Sequence, residues 1–189
     1  RKFYPILIQM TAPNDAVLTA ALTLAARTPW DLVSLGDIAR EANVSLSELR
    51  GQIADKFDLV EALHARLDGQ MLEATAFEGA LKDRLFDLFM ARFDGLQAHR
   101  AAYVSIFEAL KTQPKGLARS GMSLLSSMRW VAESAGLNTT GFRGETNSAV
   151  LALAYGNALR VWIKDDAPDM AATMASLDKG LERATGYLN

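Results

Sequence analysis

Residues 34–56, SLGDIAREANVSLSELRGQIADK, decide how the rest of the chain is read. Leu35, Ile38, Ala39 and Ala42 make a short amphipathic segment, Asn43-Val44-Ser45 interrupts it, and Leu46, Leu49 and Ile53 form a second. Ser34 and Ser45 each precede a helical pattern, where a hydroxyl accepts a hydrogen bond from the free amides of the first turn. Asn43 suits the break because it tolerates a left-handed backbone better than most residues. Two short helices meeting at a tight turn make a helix-turn-helix, a unit whose second helix elsewhere enters the DNA major groove.

Working outward, residues 14–27 carry Val17, Leu18, Ala21, Leu22, Leu24 and Ala25 at helical spacing, with Asn14 as cap and Pro29 as stop. Trp30 is expected in the small core against Leu32 and Val33, closing a three-helix unit that ends near residue 53. Asp55 is expected to cap a long helix over 56–77, with Leu59, Val60, Leu63, Leu67 and Met71 on one face.

These segments resemble the DNA-binding unit of the TetR/AcrR family. The likeness runs from Asp15-Ala16-Val17-Leu18-Thr19-Ala20-Ala21 through Val33-Ser34-Leu35-Gly36-Asp37-Ile38-Ala39-Arg40-Glu41-Ala42-Asn43-Val44-Ser45 to Lys56, with Leu59 and Val60 opening the next helix. The family usually places a small residue or Thr and then aromatics along the recognition helix; this chain has Glu48, Leu49, Arg50, Gly51, Gln52 and Ile53 there. The resemblance implies a DNA-binding unit over 1–55 and a helical ligand-binding and dimerisation domain over 56–189. It implies a transcriptional regulator, expected to be a repressor, that leaves double-stranded DNA when an apolar or amphipathic small molecule binds the body. Expected DNA contacts are Ser45, Ser47, Arg50, Gln52 and Lys56, with Ser34 as a phosphate donor at a helix start.

Within 189 residues, half of them apolar, there is room for a true core and no sign of disorder. The absence of cysteine excludes disulfides, thiolate metal sites and cysteine nucleophiles. The net charge of −2 gives no global attraction to a polyanion, and residues 1–65 hold six basic against eight acidic side chains. Attraction to phosphate would then come from a dimer doubling the contacts and from charges segregated onto one face. Residues 1–12 form an apolar extension, read either as an arm packed on the body or a neighbour or, through Arg1 and Lys2, as a DNA-grasping arm. Arg1-Lys2 precede an apolar patch broken by Pro5 without a cleavage pattern, and the apolar run 149–163 is too short and too interrupted to span a bilayer. A cytoplasmic protein with no stable membrane insertion is expected.

The remaining segments are helical by period: 80–98, 101–112, 115–135, 145–163 and 167–188, with Gly136 ending one helix. No stretch alternates like a strand, so the chain reads as all-α with about nine helices. Residues 145–163 are apolar on nearly every side, and 167–188 repeat Met170, Met174, Leu177, Leu181 and Leu188; Asp166 and Asp169 have capping-box spacing. More apolar surface than one chain can cover suggests a homodimer through these two helices.

A ligand cavity in the body would be lined by Phe89, Phe93, Tyr103, Phe107, Met128, Trp130, Tyr155 and Trp162, with Arg92, His99 or Asn157 orienting a polar group; the same residues would equally make a plain core. Enzyme readings fail on inventory: there is no phosphate loop, no Ser-His-Asp arrangement and no HExxH, and His64 and His99 are the only histidines. No metal or cofactor is expected. From about residue 82 the chain is also similar to the ubiquinone-biosynthesis accessory proteins, through Val161-Trp162-Ile163-Lys164-Asp165-Asp166-Ala167-Pro168-Asp169 and then Thr173, Leu177 and Asp178. That likeness implies an alternative: a lipid- or isoprenoid-binding accessory protein whose helix-turn-helix no longer binds DNA.

Overall fold

The computed structural model describes residues 12–74 and 79–188. Among the described residues there are nine α-helices and no strand: α1 Asp15–Ala25, α2 Leu35–Glu41, α3 Leu46–Gln52, α4 Lys56–Ala74, α5 Leu81–Gln97, α6 Arg100–Lys111, α7 Pro114–Ser134, α8 Gly141–Trp162 and α9 Ala171–Ala184. The reading of residues 1–12 as an arm, all but its last residue, and that of α4 continuing to residue 77 fall outside the described residues.

The helices divide into two compact units. The first runs up to Leu63 and takes in His99–Leu117; the second is His64–Ala98 with Ala118–Asn189. In the first, Val17, Leu18, Ala21, Leu22 and Ala25 of α1, Ile38 and Ala39 of α2, Leu49 of α3, and Leu59, Val60 and Leu63 of α4 are all buried, and α1 packs on α2. Asn14 caps α1 by accepting from the Val17 amide at 2.9 Å, as the sequence suggests. The helix ends at Ala25, before Pro29, because the Arg27 and Thr28 amides turn back to the Leu24 carbonyl. Asp55 caps α4, its Oδ1 accepting from the Phe57 amide at 2.8 Å.

α6 packs on α1 and belongs to this first unit, which a functional boundary at residues 55 and 56 leaves out. Its buried face of Ala102, Tyr103, Ile106, Ala109 and Leu110 has the same period as any body helix, so periodicity does not reveal its partner. Gly116 belongs here too: a Cβ on it would stand 2.2 Å from the Phe57 ring, so only glycine admits that approach. One expected core contact fails. Trp30 and Val33 are buried, but Leu32 is 68 % exposed; the face of Trp30 is covered instead by the Lys56 ammonium, 4.4 Å from the ring centroid.

In the second unit α8 packs most extensively on α9, and α5 also meets α9. Phe89, Phe93, Met128, Val131, Leu151, Tyr155, Trp162, Leu177 and Leu181 fill the core. Trp162 donates from Nε1 to Gln97 Oε1 at 3.0 Å, satisfying the polar edge of a buried indole. Gly136 ends α7 with φ 73°, and Leu137 donates back to the Ala132 carbonyl at 2.9 Å, closing the expected glycine terminus. α9 starts four residues later than its apolar pattern suggests, and the Asp166–Asp169 capping box does not form. Asp165 does that work: its buried Oδ2 accepts from the Thr173 amide at 2.9 Å and hydroxyl at 2.8 Å. Met170 precedes the helix at φ 51°, and Pro168 lies in the loop before it. α8 is not covered all round, since Phe142 is 88 % and Leu153 69 % exposed.

Candidate nucleic-acid interface

The turn between α2 and α3 is closed on both sides. Asn43 takes φ 52°, and Val44 donates back to the Ala39 carbonyl at 2.9 Å, so α2 ends in a left-handed cap with asparagine where glycine is usual. Ser45 then starts α3: its Oγ accepts from the Glu48 amide at 3.1 Å, and the Glu48 carboxylate accepts from the Ser45 amide at 2.7 Å. Ser34 and Asp37 repeat the box at the start of α2, at 3.1 and 3.0 Å. A reciprocal box at each helix start satisfies two otherwise orphaned amides and sets the angle at which the next helix leaves the turn.

This geometry gives Glu48 a structural reason. Its carboxylate folds back onto its own helix, and the Ser45 backbone bond, then the Ser45 side chain, hold its pKa below the usual range. Asp37 is lowered likewise by the Ser34 side chain and backbone, with a smaller contribution from Arg40, whose guanidinium lies 2.5 Å away. Both acids therefore stay ionised at the helix starts, where they offset the local positive dipole. Neither start is left as a bare anion site.

The six expected DNA contacts separate by environment. Ser47 and Arg50 are exposed on the outer face of α3, the Arg50 Nη1 reaching only the Ile53 carbonyl at 3.4 Å. The Ser45 hydroxyl is engaged in its cap, and the Ser34 hydroxyl both caps α2 and donates to Asp37 at 2.6 Å. Gln52 accepts from the Asn14 amide at 2.9 Å, fastening α3 to the start of α1. Lys56 turns inward, donating from Nζ to the carbonyls of Trp30 and Val33, the latter at 2.6 Å. Burial pushes its pKa down, and the Asp31 carboxylate partly opposes that. Lys56 thus holds the segment before α2; its charge is already solvated by protein. Leu49 and Ile53, each 1 % exposed, anchor the inner face.

The eight residues expected around a ligand fall in different surroundings. Phe89, Phe93, Met128, Tyr155 and Trp162 are buried in the second unit, the two phenylalanine rings 5.3 and 5.0 Å from Tyr155. Tyr103 and Phe107 stack at 6.2 Å within the first unit. Trp130 is 55 % exposed, because Met128 and Val131 take the inward positions on α7 and leave residue 130 on the far side. Of the polar anchors, His99 and Asn157 are exposed; Arg92 alone is in the core.

Around Arg92 lies a network that sequence reasoning missed. The guanidinium, fully buried, pairs through Nη1 with Asp68 and donates from Nη2 to His64 Nδ1 at 3.1 Å and to Ser127 Oγ at 3.4 Å. Nε donates to the Tyr155 hydroxyl at 3.3 Å, and Ser127 donates to Asp68 at 2.7 Å. Because arginine only donates, His64 must accept at Nδ1 and carry its proton on Nε2. Burial, then the Arg92 charge, push the His64 pKa down to about 3. The one available signal was Asp68 at i+4 from His64, interrupting the apolar side of α4. Among the described residues no group of His, Cys, Asp and Glu is placed to hold a metal ion, and no helix is long and apolar enough to cross a membrane.

No protein-family model matches the sequence, and no curated protein does. Solved structures do. A TetR transcriptional regulator from Nitrosomonas europaea ATCC 19718 is 26 % identical, with a TM-score of 0.74 over 91 % of this chain and 97 % of that one. A TetR transcriptional regulator from Rhodococcus sp. RHA1 reaches 0.69 at 14 % identity, over 89 % and 93 % of the two chains. A TetR-family transcriptional regulator from Streptomyces coelicolor reaches 0.56 at 18 % identity, over 91 % and 87 %. The fold is all-α, as the helical periods led us to expect, and TetR-like, as the resemblance implied.

Proposed function

We propose that the chain is a TetR-like transcriptional regulator that binds double-stranded DNA as a homodimer through α3. The observation that carries this reading is the outer face of α3. It is held at a fixed angle by two capping boxes, anchored by Leu49 and Ile53, and presents Ser47 and Arg50 outward. The structural relatives, regulators matched over nearly the whole chain, support it. Ser47 and Arg50 are assigned to DNA; Ser34, Ser45, Gln52 and Lys56 support the face from behind.

The dimer would form on α8 and α9, where Val150, Leu153, Ala154, Gly180 and Tyr187 line an open groove of about 330 Å³. Leu153 and Tyr187 are 69 % and 71 % exposed in the single chain, a large apolar loss unless a second copy covers them. A two-fold pairing there would bring two copies of α3 into one assembly, as a site of two half-sites requires. An apolar or amphipathic effector bound in the body would repress DNA binding by favouring a second dimer geometry.

The test is retardation of DNA from upstream of the chain's own gene at physiological salt. Wild type is expected to retard it and Arg50→Ala to retard it much less; equal weak retardation by both would reject the reading. The lipid-accessory alternative finds no support among these relatives. The Asp165 cap on Thr173 accounts locally for two residues of the pattern that suggested it.

A further inference from the structure

Leu46 is 60 % exposed at the first position of α3, whereas Leu49 and Ile53 are each 1 % exposed. The inner face of this helix is already filled, so an exposed leucine adds little to folding. Ser47 and Arg50, the latter one turn along from Leu46, are exposed with it, and further round the helix lies the half-buried Gly51, where a Cβ would meet nothing within 4 Å. Glycine inside a helix is destabilising relative to alanine, and nothing in this chain needs the space. The polar groups of the first turn are occupied with one another, Ser45 with Glu48. The exposed side chains of α3 are thus Leu46, Ser47, Glu48 and Arg50, with the Glu48 carboxylate folded back on Ser45 and Leu46 the one apolar group among them.

We infer that Leu46 is a specificity-determining residue: it packs on the C5-methyl group of a thymine in the major groove. The inference rests on α3 being the element that meets DNA. The thymine methyl is the apolar feature of the major-groove edge; every other base presents hydrogen-bonding groups there. Leucine can neither donate nor accept, so covering guanine, cytosine or adenine edges with it would strip their water without replacement. Arg50, one turn along the same face, then lies over the neighbouring base pair or its phosphate. Each half-site would carry one thymine whose methyl group matters.

The experiment uses duplexes enriched by the full chain from a randomised pool. Each thymine is replaced in turn by deoxyuridine, which removes only the methyl group, and binding is followed by fluorescence anisotropy at fixed salt. One position per half-site should weaken wild-type binding about fourfold, the transfer value of one buried methyl group. Leu46→Ala should bind the thymine and uracil duplexes within about twofold of each other, with an unchanged circular dichroism spectrum and melting curve. Leu46→Met, which keeps an apolar chain, should retain the sensitivity. Wild type indifferent to every replacement, or Leu46→Ala as sensitive as wild type, overturns the inference while leaving DNA binding intact. If no duplex is enriched at all, the DNA-binding reading fails and takes this one with it.

Discussion

Replacing Lys56 by methionine distinguishes a lysine that braces the helix-turn-helix from one that touches phosphate. In the structure its ammonium donates to the Trp30 and Val33 carbonyls and covers the Trp30 ring. Methionine keeps most of the stem's packing and removes the bonds. Hydrogen bonds to a charged group stabilise by about 1.5–3 kcal/mol when well shielded, and Lys56 is only partly buried, so we take about 1–2 kcal/mol for the site. For a chain of this length that lowers the melting temperature by about 2–8 °C. A phosphate contact has another signature: each contributes about 0.9 to the slope of log affinity against log salt, so losing one from each subunit of a dimer would flatten it by about 1.8. We expect Lys56→Met to melt earlier and to keep the wild-type salt slope. The assay pairs thermal melting with anisotropy titrations over a salt series. A flattened slope with an unchanged melting curve would refute the bracing role and return Lys56 to the DNA face.

Other consequences follow from the two units. Asp68→Ala leaves the Arg92 guanidinium buried without its counter-ion and should cost about 3–5 kcal/mol; the double variant Asp68→Leu, Arg92→Met should recover most of that, as urea unfolding will show, and additive losses would contradict the pairing. His64 has a folded pKa of about 3 against 6.5 ordinarily, so between those values the unfolded chain binds a proton that the folded chain does not. Stability should therefore be full above the upper value and fall by about 1.4 kcal/mol per pH unit below it. Unfolding midpoints across that window check this, and His64→Gln should flatten the dependence. Leu153→Arg on the exposed face of α8 should turn a dimer into a monomer by light scattering at micromolar concentration with little change in helicity; a wild type that is already monomeric would remove the proposed interface.

Much of the first unit was legible because its signals are local. Asn14, Ser34, Ser45, Asn43 and Asp55 act within a few residues of themselves, and each does in the structure what its type and position suggest. The start of α9 was misread for the opposite reason: Asp165 caps Thr173 across a left-handed residue, and no short spacing rule describes that. Trp130 and Leu32 show the limit of composition. Both are large and apolar, yet both are exposed, because helix phase and a lysine over Trp30 decided the matter.

By itself, the sequence determined that the chain is all-helical and carries a helix-turn-helix, since periodicity, caps and the left-handed asparagine depend on neighbours along the chain. Only the tertiary structure decided which side chains of that unit face outward, that α6 joins it, and that His64, Asp68, Arg92, Ser127 and Tyr155 meet in one buried network. Those facts depend on which helix faces meet across separations of tens of residues. A serine, a lysine or a histidine looks the same in sequence whether its polar group is given to solvent, to DNA or to a carbonyl inside the protein.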